Sequence, residues 1–229
     1  MSSQFDYISE NYKQILFDVE EAKAKFRKAD DNIDIMAVTK TVSPEAINFA
    51  INCGIKHLGE NRVQEYLSKK DFYGKSADVQ FIGHLQSNKI KYIIDSVSVI
   101  QSVDSVSLAC EINKQAEKHN VIKNILIEIN IGNELSKSGV IYSEVENLLY
   151  EVSLLKNIKV NGLMAIPPVG CSENYFYKMN ELFIDICDKN IDNINMSILS
   201  MGMSADYELA VKHGSNLIRL GTKLFGARK

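Results

Sequence analysis

The chain has 229 residues, of which 45% are hydrophobic and 24% charged, proportions that suit one compact globular domain and exclude a disordered or fibrous chain. Its 26 basic and 29 acidic residues leave a formal net charge of −3, so no global positive field exists to draw in a nucleic acid. The N-terminal segment lacks the positive start and apolar run of a secretory signal. No later stretch approaches the roughly 20 apolar residues of a membrane span, which points to a cytoplasmic protein.

From Phe5 to about Lys28 the apolar positions Phe5, Ile8, Tyr12, Ile15, Leu16, Val19, Ala22 and Phe26 recur at three- and four-residue steps, the pattern of an amphipathic helix. IDIMAVTK then reads as a buried strand. Ser43-Pro44-Glu45 signals a helix start before an apolar-periodic stretch to about Ile51. The alternation continues with HLGEN and RVQEYLSKK, VQFIGH and SNKIKYIID, SVIQSVD and SVSLACEINKQAEKH, and NILIEINI and SEVENLLYEVSLL. KVNGLMAI precedes a helix around Asn174 to Lys189, MSILSMG precedes ADYELAVKHG, and NLIRLG precedes TKLFGARK.

Eight strand–helix units call for parallel pairing through right-handed crossovers, and eight is the number that closes a barrel without exposed edges. The expected fold class is therefore α/β, a (β/α)8 TIM barrel with an extra N-terminal helix. Residues 1–229 read as a single domain, with residues 1–30 forming a helix packed on the barrel. The competitor is an open doubly wound sheet. It would carry G-x-G-x-x-G after its first strand, where this chain has TKTVSP. Prolines occur only at Pro44, Pro167 and Pro168, and no linker divides the chain.

Cys53, Cys110, Cys171 and Cys187 lie far apart with no C-x-x-C pair, which argues against a disulfide framework or a zinc knuckle. His57, His84, His119 and His213 lack the spacing that puts two ligands on one helix face, so no metal is expected.

In such barrels the functional groups lie at the C-terminal ends of the strands. Lys40 ends the run MAVT. A lysine desolvated at such a position would have its ammonium disfavoured and a neutral amine freed to attack an aldehyde, as a Schiff-base lysine requires. Taken alone, Lys40 is explained as well by a side chain that snorkels to water.

The loop after the seventh strand reads Ser200-Met201-Gly202-Met203-Ser204, and that after the eighth reads Arg219-Leu220-Gly221-Thr222. Glycine lets backbone approach an anion, hydroxyls add donors, and a helix beginning near Ser204 would present free N–H groups. Barrels often bind phosphate between these two loops. Ordinary glycine turns account for each loop singly but not for their joint position.

Glu60-Asn61-Arg62 and His84 are further polar groups at the same mouth, where a cap or a core hydrogen bond explains them as well as ligand contact does. Arg219 is always charged and only donates. Facing a pyridine nitrogen, it would keep that atom unprotonated and weaken the ring as an electron sink. Asp206 and Glu208 read as the acidic first turn of a helix.

The strings AVTK, HLGENRVQE, FIGHLQSNK, NGLMAIPP, LSMGMSAD and IRLGTKLFGAR, in this order and each at a strand end, resemble the YggS/PROSC family of pyridoxal 5′-phosphate (PLP) binding proteins, also called PLP homeostasis proteins. The likeness spans about Met36 to Arg228. It implies a barrel like the alanine racemase N-terminal domain, with PLP held as a Schiff base on Lys40 and Arg219 facing the pyridine nitrogen. Ser204, Gly221 and Thr222 would hold the phosphate, and Asn61 and Met201 would lie near the ring. NELSKSGV also resembles a family segment and puts Lys137 after the fifth strand, where a solvated loop lysine explains it equally. The family implies a role in cofactor supply, with PLP-dependent apo-enzymes as candidate recipients.

Three functions compete. A monomeric carrier or regulator of PLP is favoured, because alanine racemase-like enzymes take their second base from a C-terminal β domain and this chain ends at Lys229, directly after the barrel. A PLP-dependent amino-acid racemase of low activity is the alternative, with Lys40 as one base. The third is a barrel that binds some other phosphorylated metabolite and never uses Lys40 covalently.

Overall fold

The structure, a computed structural model, describes residues 4–74, 76–134, 137–168, 170 and 173–227; Cys171 lies outside them. In chain order the elements are α1 (Asp6–Phe26), β1 (Asp34–Val38), α2 (Pro44–Asn52), β2 (His57–Glu60), α3 (Val63–Lys69), β3 (Asp78–Phe81), β4 (Val99–Val103), α4 (Val106–Lys118) and β5 (Lys123–Asn130). There follow β6 (Val140–Ile141), α5 (Val145–Ser153), β7 (Ile158–Ala165), α6 (Asn174–Asp188), β8 (Ile194–Ser200), α7 (Tyr207–Lys212), β9 (Leu217–Leu220) and α8 (Thr222–Phe225). The chain divides into two compact units, Met1–Val79 with Met201–Lys229, and Gln80–Ser200. Among the described residues, no helix is long and apolar enough to cross a membrane.

In the first unit β1 is flanked on both sides. It pairs in parallel with β2 through Met36 and His57, Ala37 and Leu58, and Val38 and Gly59, and with β9 from Asp34 and Leu217 to Ala37 and Leu220. Its centre, Met36 and Ala37, is fully buried, which is why IMAV reads as a continuous apolar run rather than an alternating one.

Helix α1 packs on α2, α7 and α8. Ile8, Ile15, Val19 and Ala22 face that core, while Leu16 and Phe26 lie exposed. The buried stripe is narrower than the apolar one because Leu16 lies roughly 100° round the helix from Ile15. Full burial of an isoleucine contributes about 1.5–3 kcal/mol, so Ile8 and Ile15 anchor the helix. Helix α2 begins as its sequence predicts, with Pro44 in the first turn and Ser43 Oγ accepting the Ala46 N–H.

In the second unit β3 pairs with β4, β4 with β5, β5 with β7 and β7 with β8, all in parallel, while the two-residue β6 lies beside β5. The register between β7 and β8 shifts next to Gly162, whose φ is +146°; a Cβ there would sit 1.8 Å from the Ile198 carbonyl oxygen. The glycine of NGLM is thus required by a strand irregularity. Three buried polar side chains of this unit satisfy one another, Gln101 donating to Gln80 and accepting from Ser200, both at 2.7 Å.

The eight strand segments expected from the sequence are present as β1 to β5 and β7 to β9. Two helices depart from expectation. SNKIKYIID forms only a 3-10 segment, Ser87–Tyr92, without a side-chain cap. Ile90, Ile93 and Ile94 are all fully buried at its C-terminal end. Helix α7 begins at Tyr207 rather than near Ser204. Asp206 Oδ1 accepts the Met203 N–H at 2.6 Å and its own N–H returns to the Met203 carbonyl, closing a separate turn before the helix.

Candidate functional site

Strand β1 stops at Val38, and Thr39 extends its pairing through one more bond, its N–H donating to the Gly59 carbonyl at 3.1 Å. Lys40 therefore stands one residue past the last strand contact, half-buried in the turn that leads to α2. The turn is closed by Val42, whose N–H donates to the Thr39 carbonyl at 3.1 Å.

Beneath it lies a buried acid. Thr39 Oγ1 donates to Glu60 Oε1 at 2.7 Å, and the Tyr73 hydroxyl donates to the same oxygen. Glu60 is fully buried and its Oε2 has no partner among the described residues. Burial pushes the Glu60 carboxyl above the usual range against the opposing hydrogen bonds from Tyr73 and Thr39. Burial and the neighbouring carboxyl push the Tyr73 phenol up as well. The next residue, Asn61, also carries a buried oxygen, Oδ1, with no partner among the described residues. Two adjacent unmet acceptors at the end of β2 are costly unless a donor completes them.

The glycine–hydroxyl loops meet within the same unit. Ser204 Oγ accepts the N–H of Gly221 at 3.3 Å and of Lys223 at 3.1 Å, which leaves its own O–H available as a donor. Among the described residues nothing accepts from the N–H or the hydroxyl of Thr222. These three donors form a cradle suited to an oxyanion. Gly202 plays a different part from the one its sequence suggests. Its φ is +93° and a Cβ would lie 2.5 Å from Ala210 Cβ, so the glycine serves close packing of α7 rather than approach to an anion.

Lys40 and the Gly221–Thr222 side of the cradle open on one cavity of about 460 Å³, lined also by Phe5, Ser43 and Phe225. Lys40, Gly221 and Thr222 are thus brought together. Asn61, Met201, Ser204 and Arg219 are not part of that lining. Met201 is fully buried, and Arg219 is buried in β9, paired in register with Met36. Arg62 and His84 are exposed, and Lys137 forms an ion pair with Glu134 at 2.8 Å. The residues sequence reasoning missed are Tyr73, Glu65 and Lys69, which support the Lys40 turn. The one local sign of them is the four-residue spacing of Glu65 and Lys69 on α3.

The family profile of the alanine racemase N-terminal domain matches residues 12–229. An alanine racemase of Clostridium difficile superposes with a TM-score of 0.75 at 18% identity, over 97% of this chain and 57% of that one. The fold is accordingly the parallel (β/α)8 barrel of that domain, preceded here by the extra helix α1.

A pyridoxal phosphate homeostasis protein of Aquifex aeolicus is 42% identical over 228 residues, 96% of this chain and 98% of its own. The structure of PipY from Synechococcus elongatus with PLP bound has a TM-score of 0.82 at 28% identity, over 96% of this chain and all of that one. The chain belongs to the pyridoxal phosphate homeostasis protein family.

Proposed function

We propose that this chain binds PLP covalently through the Lys40 amine and serves PLP homeostasis as a carrier or regulator without substantial catalysis. The observation that carries this reading is the shared cavity. Lys40, a half-buried residue, and Thr222 both line it, and Ser204 bonds to the adjoining Gly221, which supports this reading. In support, relatives of this family are named for PLP homeostasis, and PipY is known with PLP bound.

PLP supplies an aldehyde that condenses reversibly with primary amines and a ring that withdraws electrons. Lys40 provides the amine. The Ser204 hydroxyl and the N–H and hydroxyl of Thr222 hold the phosphate, and Gly221, without a side chain, keeps the cradle open. Asn61 and Met201 lie by the ring, the Asn61 Oδ1 supplying an acceptor that the protein itself leaves unused. Arg219, a permanent cation with no lone pair to offer, donates to the pyridine nitrogen and keeps it unprotonated. We take residues 1–229 to act as one PLP-binding domain, monomeric and cytoplasmic, with PLP-dependent apo-enzymes as recipients.

The test is borohydride treatment of the PLP-loaded protein followed by peptide mapping. The label is expected on Lys40 and is expected to vanish in Lys40→Ala. A label elsewhere with Lys40 unmodified would falsify the assignment. The loaded protein is then incubated with L- and D-amino acids in deuterated water; α-proton exchange at rates of about 10–1,000 per second, the enzymatic range, would replace the carrier by the racemase.

A further inference from the structure

We propose that Glu65 and Lys69 of α3 are positioning residues that preset the turn bearing Lys40 for covalent attachment of the cofactor. This rests on the assignment of Lys40 made above.

The turn runs from Thr39 to Val42, and its third residue, Thr41, sits at φ +64°. A positive φ there, after a Lys40 that has none, is the type II pattern, which normally takes glycine or asparagine. A β-branched residue in the left-handed region is strained and persists only where its surroundings hold it. Here they do so from both sides. The Thr41 N–H donates to Glu65 Oε1 at 2.5 Å. Lys69 Nζ donates to the Thr39 carbonyl at 3.2 Å and to the same Glu65 oxygen.

One carboxylate and one ammonium on adjacent turns of α3 therefore grip the residue before Lys40 and the residue after it. The pair is shielded, with the side chains of Glu65 and Lys69 only 18% and 12% exposed, which sets it apart from surface ion pairs of little consequence. Burial resists the Glu65 charge, but the bonds from Lys69 and Thr41 outweigh it and hold the carboxyl below its usual range. The backbone that carries Lys40 is thus held on both flanks. An amine aimed in advance loses less freedom on attacking an aldehyde.

The rival account is that Glu65 and Lys69 simply stabilise α3 as an i,i+4 pair. Thr41→Gly separates the two, because glycine adopts the left-handed conformation without help and the substitution changes no residue of α3.

The experiment uses the full-length protein freed of cofactor, with PLP as the probe. The readouts are the rate at which the visible band of bound PLP appears and the fraction of Lys40 labelled by borohydride. Glu65→Ala is expected to slow band formation about tenfold, as release of one strained residue implies. Glu65→Gln, which keeps an oxygen for the Thr41 N–H, recovers most of the rate, and Glu65→Ala with Thr41→Gly restores it. A Glu65→Ala rate equal to that of the parent, or a slowed rate that Thr41→Gly leaves slow, overturns the proposal. Should Glu65→Ala fail to fold by circular dichroism, Lys69→Met with and without Thr41→Gly is judged by the same two criteria. A parent protein whose Lys40 takes no label fails before any variant is made, and overturns the assignment of Lys40 and this inference with it.

Discussion

Ser204 Oγ accepts the backbone N–H of Gly221 at 3.3 Å across 17 residues of sequence, and so ties the loop after β8 to the start of α8. Removing that hydroxyl leaves the Gly221 and Lys223 N–H groups without their acceptor and takes a donor from the cradle. Ser204→Ala is expected to weaken PLP retention by about 1–3 kcal/mol, the cost of an unmade hydrogen bond to a charged group. Thr222→Ala is expected to fall in the same range. Equilibrium dialysis of PLP against each variant measures the loss, and retention equal to that of the parent in both would remove the phosphate from these loops.

Gly202 provides a test of loop shape without touching any donor. Gly202→Ala places a methyl 2.5 Å from Ala210 Cβ in a backbone conformation that alanine disfavours. The expected cost is about 1–3 kcal/mol of stability, read as a lower urea midpoint, together with poorer PLP retention because Ser204 follows two residues later. An unchanged midpoint would show that α7 shifts freely.

His57 links stability to pH. It stands at the start of β2, with Nδ1 2.9 Å from Asp78 and Nε2 3.8 Å from Asp34. The bonds to Asp34 and Asp78 outweigh burial and raise its pKa from 6.5 to about 9. A raised pKa in the folded state means that the folded protein binds the proton more tightly than the unfolded chain does. The stabilisation is complete below about 6.5 and is lost as the pH climbs through about 9. The melting temperature should fall over that window, and the fall should flatten in His57→Gln. Parallel melting curves for parent and variant would exclude His57 as the source.

Ile15 measures how far α1 belongs to the folded core. It is fully buried and belongs to the core cluster that joins α1 to α2, α7, α8 and the strands of the first unit. Ile15→Ala should cost about 2–5 kcal/mol, seen as a lower denaturation midpoint with one cooperative transition. A loss confined to a separate early transition would mean that α1 unfolds on its own.

Much of the architecture is legible in the chain because its signals are local. Continuous apolar runs such as IMAV mark strands flanked on both sides, Ser43-Pro44 marks a helix start, and the three- and four-residue steps of Ile8, Tyr12, Ile15, Val19 and Ala22 mark the helix that precedes the barrel. Lys40 and the glycine–hydroxyl loops are legible as candidates for the same reason, since a strand end and a Gly-Thr pair are features of a few consecutive residues.

Tertiary structure alone decided what those residues touch. Nothing in the letters says that Ser204 reaches Gly221 rather than capping its own helix, or that Gly202 is present to admit Ala210. The left-handed Thr41 could not be read from TKTVSP, because the contacts that sustain it come from Glu65 and Lys69 on another helix. The same holds for the segment after β3, whose helical pattern forms a 3-10 segment instead. Periodicity and turn chemistry are written over a handful of neighbours in the chain, whereas strain, burial and hydrogen-bond partnership depend on residues brought close only by folding.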